Sequence, residues 1–212
     1  MIVQLEGLIE EQLRLVKHVL LYDAFGKINY VGGVDCAYAD DMIIGGIVLV
    51  NLATLKPVEY AYSVQKLDFP YIPGFLAYRE AKAMAAAIEK VRDKVDVLMI
   101  DGFGINHPRR CGIATYLGLR LDMPTIGVGK SFLCGEIRED DFVYQNEERV
   151  GKLLFSATSK KPVYVSPGHK ISLDTSVELV EKCMAGHRLP EPTRLAHEYV
   201  TALKADVCKK HI

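Results

Sequence analysis

Val95-Asp96-Val97-Leu98-Met99-Ile100-Asp101-Gly102-Phe103-Gly104 carries the pattern that decides the architecture of this 212-residue chain. From Val95 to Ile100 the run is apolar except for Asp96. A strand covered on both faces reads this way, and such strands pair in parallel with their neighbours. Asp101 leaves that strand into glycines, at the carboxyl edge where open α/β sheets place their ligands. An ordinary Asp-Gly turn explains the same residues without function.

Upstream, Ala77 to Arg92 contains Ala81, Ala83, Ala85, Ala86 and Ala87, the strongest helix-forming composition in the chain. Before it, Tyr30 to Tyr38, Met42 to Val50 and Pro57 to Val64 are rich in Val, Ile and Tyr. Ala39-Asp40-Asp41 and Leu52-Ala53-Thr54 separate them, which predicts three hairpin-linked strands. Leu8 to Leu21 has the spacing of an amphipathic helix. Downstream, Arg109 to Leu121 reads as helix and Thr125 to Val128 as a short strand. Arg138 to Arg149 reads as a charged loop, Lys152 to Ala157 and Pro162 to Val165 as strands, and Thr175 to Ala185 as a helix. With no Gly/Ser/Pro-rich linker, residues 1–212 predict one domain. Its fold class is α/β: a ribonuclease H-like mixed sheet, three antiparallel strands followed by parallel strands, with helices on its faces.

Half the residues are hydrophobic and a quarter charged, which suits one compact domain with a sizeable core. Lys and Arg total 26 against 27 Asp and Glu, so a nucleic-acid surface would have to be a local basic cluster. Cys36, Cys111, Cys134, Cys183 and Cys208 are odd in number and never form C-x-x-C, the expectation for reduced thiols rather than disulfides or a zinc site. No apolar run is long enough for a bilayer, and Met1 to Gly7 lacks a signal-peptide pattern, so a cytoplasmic protein is expected. Without a heptad pattern, a monomer is the plain expectation.

Three acidic residues stand out. Asp35 lies in the first strand amid Val31, Val34 and Tyr38, where an ionised side chain is costly unless paired or bound to a cation. An outward-facing strand position explains it equally well. Glu80 lies in the first turns of the Ala-rich helix, where a carboxylate suits the helix dipole and reads alone as a solvated residue. With Asp101 they become informative together: first strand, first helix and the next strand converge at one edge of a ribonuclease H-like sheet. Clustered carboxylates suit a hard cation, which polarises phosphoryl oxygens, so phosphodiester hydrolysis fits.

Around these residues the sequence resembles the endonuclease V family. The likeness runs from Val31-Gly32-Gly33-Val34-Asp35 to Arg188-Leu189-Pro190-Glu191-Pro192-Thr193-Arg194-Leu195-Ala196-His197. Its most specific pieces are Pro70-Tyr71-Ile72-Pro73-Gly74 with Arg79-Glu80, and Asp101-Gly102-Phe103-Gly104-Ile105-Asn106-His107-Pro108-Arg109-Arg110. Pro124-Thr125-Ile126-Gly127-Val128 with Lys130, and Ser166-Pro167-Gly168-His169, complete them.

The resemblance implies a nuclease using Mg²⁺, with Mn²⁺ able to substitute. It would cut the second phosphodiester bond 3′ to inosine or another deaminated base in DNA, with RNA an open alternative. It assigns metal binding to Asp35, Glu80 and Asp101, and places His197 near the catalytic centre and Lys130 at the phosphate beside the cut. Tyr71 becomes the wedge in the strand, with Gly74, Leu76, Gly102 and Leu133 near the displaced base.

Physical reading runs beside that assignment. A ring on a loop bracketed by Pro70 and Pro73 is stiff enough to fill the gap left by an extruded base, though an ordinary packed loop aromatic reads the same. His107, Pro108 and Arg109 predict a helix start whose amides favour phosphate, with surface solvation as the plainer reading. Phe103 departs from the family pattern, in which a polar residue commonly follows Asp-Gly. A ribonuclease H-like nuclease of other specificity, or a non-catalytic nucleic-acid-binding domain, shares much of this sequence logic.

Overall fold

The computed structural model describes residues 5–209. Helix α1 (Leu5–Leu15) opens the chain and runs into a 3₁₀ turn at Val16–His18. Strands β1 (Tyr30–Ala39), β2 (Met42–Asn51) and β3 (Pro57–Lys66) pair antiparallel in sequence, as the Val/Ile/Tyr runs predict. Helix α2 (Leu76–Ile88), strand β4 (Val97–Asp101), helix α3 (Ile113–Leu121) and strand β5 (Thr125–Gly129) follow, and β4 is parallel to both β1 and β5. Then come β6 (Glu136–Ile137), β7 (Phe142–Gln145), β8 (Glu148–Leu154), β9 (Val163–His169), α4 (Leu173–Lys182) and α5 (Glu191–Lys209). The strands form one sheet in the order β3-β2-β1-β4-β5-β9-β8-β7-β6. The mixed sheet read from the sequence is present. No helix among the described residues is long and apolar enough to cross a membrane.

Three local expectations need correction. The segment Arg138 to Arg149 is not a loop but contains β7 and the start of β8, joined at Asn146 and Glu147, both with positive φ. Its charges sit over its own aromatics, Arg138 above Tyr144 and Arg149 above Phe142, so a hairpin looks like a polar loop in sequence. Helix α3 begins at Ile113, not Arg109. Arg110 is left-handed at φ 54, and the His107 imidazole accepts the Arg109 and Cys111 amides, leaving neither open to a phosphate. The long helix α5 was not anticipated at all.

Alternation along β1 sorts the layers. Val34, with Ile47 and Leu49 of β2, packs under α2 and α3. Gly33 and Asp35 face the opposite way, toward α5, where Val48 and Val50 meet Ala196. Under α4, Val31, Met99, Ile126 and Val165 make a second core on that side. α5 approaches the sheet very closely: a Cβ at Gly33 would overlap the Pro192 carbonyl, and one at Gly46 would overlap Val200. Gly33→Ala should therefore cost about 3 kcal/mol, the upper part of the overpacking range, because backbone has to yield. Urea unfolding of that variant measures it; an unchanged midpoint would mean that α5 adjusts freely on the sheet.

Candidate active site

Register builds the site first. β1 and β4 are paired up to Val34 opposite Ile100, so the next residues, Asp35 and Asp101, emerge side by side at the carboxyl edge. Lys130 follows the last residue of β5 and bonds Asp101 Oδ2, with its Nζ 3.9 Å from Asp35 Oδ2. From α5, His197 Nδ1 lies 2.8 Å from Asp35 Oδ2, and the Cys36 amide donates to Asp35 Oδ1 at 2.7 Å. Glu80 enters from α2 on the other face, 8% exposed, and accepts a hydrogen bond from the Tyr38 hydroxyl. Arg79 lies 4.6 Å above the Tyr38 ring and donates to the Phe69 carbonyl.

Negative charge converges here. Burial pushes the Glu80 carboxyl up to about 7, with Asp35 and Asp101 adding to the rise and the Tyr38 hydrogen bond opposing it. Asp101 is also raised, first by burial and then by Asp35, while Lys130 pulls the other way. The Cys36 thiol senses the same three carboxylates and is held protonated by burial and by their charge.

Beside this cluster lies a cavity of about 240 Å³. Tyr71, Gly74, Leu76, Gly102, Lys130 and Leu133 are among the residues that line it. These residues, with His107 and Phe103, were all singled out from the sequence and line one hollow, and Lys130 belongs to both cavity and carboxylate cluster. Tyr71 is 68% exposed, so packing does not hold its ring.

His107 and Arg109 do different work. His107 lines the cavity, yet its Nε2 bonds the Gly74 carbonyl at 3.1 Å, and Arg109 Nη2 donates to the same oxygen at 2.7 Å. Gln12 of α1 donates a third bond to it at 3.2 Å and receives Arg109 Nε at 2.6 Å. Burial, then the Arg109 cation, depresses His107 to about 4, so the ring is neutral near pH 7 and donates through Nε2 while Nδ1 accepts. This triple anchor fixes Gly74, whose φ of +80° suits glycine.

Sequence reasoning missed Gln12, Tyr38 and Arg188. Gln12 is fully buried one turn from Leu8 and from Val16; a polar residue on an apolar stripe was its signal. Arg188 lay inside a quoted motif without a role. It donates to the carbonyls of Lys130 and Pro162, tying Lys130 to the start of β9. Ser166 of the Ser-Pro-Gly-His motif accepts the Gly104 amide at 2.9 Å, and Pro167 accepts Ile105, so that motif shapes the loop after Asp101. His169 is 3% exposed and accepts the Leu20 amide. The described cysteines Cys36, Cys111, Cys134 and Cys183 are free thiols.

Because the Glu80 carboxyl rises from 4.5 to about 7 on folding, the native state keeps a proton that the unfolded state releases between those values. That contribution stabilises below about 4.5 and is lost as pH rises through about 7. The depressed His107 acts oppositely, so the readout is a difference. In EDTA, Glu80→Gln should gain stability relative to wild type as pH rises across this window, followed by denaturant melts at each pH. Parallel pH profiles for the two proteins would show that Glu80 ionises as easily folded as unfolded.

The family model for Endonuclease V matches residues 13–198. An endonuclease V of Dictyoglomus thermophilum is 44% identical over 201 residues, covering 90% of this chain and 88% of the relative. One from Archaeoglobus fulgidus is 38% identical over 209 residues, covering 96% and 95%. Among solved structures, the Bacillus subtilis endonuclease V superposes with a TM-score of 0.89 at 28% identity, covering 99% of this chain and 96% of that one. A Ciona intestinalis endonuclease V, in complex with a 24mer DNA containing an inosine followed by a ribo-adenosine, gives 0.86 at 27% identity and covers 96% and 99%. The chain belongs to the endonuclease V family and is an endonuclease, a hydrolase.

Proposed function

We propose that the protein nicks DNA at the second phosphodiester bond 3′ to inosine or another deaminated base, as one domain and one chain. The observation that carries this reading is the shared wall. A base-sized hollow edged by an exposed tyrosine opens onto the lysine that bridges Asp35 and Asp101. The Ciona intestinalis relative, solved with inosine-containing DNA, supports the substrate.

In this reading Tyr71 fills the gap left in the strand, and the extruded base enters between Gly74, Leu76, Gly102 and Leu133. Main-chain groups there can hydrogen-bond a base edge, and His107 with Arg109 keeps Gly74 in position for it. Lys130 offers its ammonium to the phosphate beside the cut, and Arg188 holds its backbone there. His197, half in solvent and bonded to Asp35, is placed to hold a proton for the attacking water or the leaving oxygen.

Asp35, Glu80 and Asp101 are the residues that would hold Mg²⁺, with Mn²⁺ able to replace it. The raised carboxyls of Glu80 and Asp101 are those of groups short of positive charge, which is the chemistry a hard cation answers. Among the described residues, no three His, Cys, Asp or Glu side chains stand together as a ready-made metal site. Mg²⁺ keeps several waters and takes few carboxylates directly, so an open set of this kind suits it. When bound, the ion supplies positive charge that polarises the phosphoryl oxygen and stabilises the leaving oxygen.

Matched strands with and without one inosine, as DNA and as RNA, in Mg²⁺ or EDTA, test the reading. A Mg²⁺-dependent nick one nucleotide beyond inosine is expected; metal-dependent cutting that ignored inosine would favour a nuclease of other specificity. Asp35→Ala, Glu80→Ala and Asp101→Ala should each slow cutting by about 10³-fold or more while the chain stays folded. Tyr71→Ala should weaken binding of the inosine strand about tenfold, as loss of one stacking contact does, and leave the saturated single-turnover rate nearly unchanged. A drop confined to that rate would remove Tyr71 from the wedge.

A further inference from the structure

A run of aromatic rings begins at the cavity wall and ends in solvent. Phe103 lines the cavity beside Lys130. Its centroid is 6.5 Å from that of Tyr164 at 53°, and Tyr164 is 6.2 Å from Phe132 at 58°. These are favourable tilted contacts, so the rings brace one another. The Phe103 ring rests on Gly129, where a Cβ would overlap it, and β5 is therefore flat beneath it. At the outer end Phe132 is 48% and Leu133 38% exposed, two and three residues beyond Lys130. Water meets a braced aromatic shelf here, continuous with the hollow and next to the lysine.

We propose that this shelf is a stacking platform for the base immediately 3′ of the extruded one. The inference rests on the proposed function, because it takes the cavity as the seat of the extruded base. A strand that leaves the cavity and delivers a phosphate to Lys130 has to pass the rings that flank that lysine. Aromatic faces hold any base through its π-face without reading its edge. The partner is therefore an unpaired nucleotide base of the bound strand, held by stacking. Stacking strength makes a purine at that position bind more tightly than a pyrimidine. Phe103 also makes the cavity wall apolar at the residue after Asp101-Gly102, so neighbour preference and base specificity meet at one ring.

Single-turnover cleavage, read as half-saturating protein concentration and maximal rate, tests it. Three inosine strands are compared: an ordinary one, one abasic at the 3′ neighbour and one abasic at the 5′ neighbour. Phe132→Leu keeps an exposed apolar side chain without the ring; Phe132→Tyr keeps the ring. On the ordinary and 5′-abasic strands, Phe132→Leu should raise the half-saturating concentration about tenfold, with the maximal rate unchanged. On the 3′-abasic strand it should change by at most about twofold, since the stacking partner is gone, and Phe132→Tyr should match wild type on all three. Equal losses on all three strands, a loss that follows the 5′ neighbour, or no loss at all would overturn the platform. Wild type that cut strands regardless of inosine would instead overturn the function on which it rests.

Discussion

Asp35 and Asp101 repel each other, and the sheet gives them no choice. Parallel pairing of β1 with β4 brings the two carboxylates out of neighbouring strands at the same level, and Glu80 adds a third from the opposite face. Two ionised carboxylates at this spacing are unfavourable without a compensating cation. Much of the surrounding structure compensates: Lys130 just after β5, His197 from α5, the Cys36 amide and the Tyr38 hydroxyl all point at these oxygens. On the proposed function the same concentrated negative charge is what would accept a cation, so the electrostatic cost and the proposed chemistry share one origin.

Compensation also dictates the packing. His197 reaches Asp35 only because α5 lies against glycines at Gly33 and Gly46, without side chains in between. Lys130 stays at the edge because Arg188 ties its carbonyl to the start of β9. The cavity side is built with the same economy. One carbonyl, that of Gly74, gathers donors from α1 and from the turn before α3, so three distant segments fix the wall of a single hollow.

Much of this was legible in the sequence. Val97 to Ile100 announced a doubly covered strand, and the Val/Ile/Tyr runs announced the meander before it, because burial on one or both faces imprints directly on residue alternation. The three carboxylates were legible as a set once their elements were placed. Less legible were features set by tertiary contact. β7 and β8 hide under charged side chains stacked on their own rings, and their turn uses Asn146 and Glu147 instead of a glycine. The helix start expected at Arg109 failed because His107 had already taken the amides. α5 went unread beyond its motif, since the glycines that receive it lie about 150 residues earlier, on β1 and β2. Arg109 reads as a surface cation until its partners are known.

The contact between Asp35 and His197 spans 162 positions. A chain still being synthesised can form the meander and even the parallel strands while the helix that covers Asp35 is not yet made. Until that helix arrives, Gly33 and Gly46 form an open trough, and the acidic edge stands without its histidine. Order of synthesis therefore separates the two halves of that contact in time: an incomplete polypeptide displays the carboxylates before the helix that covers Asp35 exists.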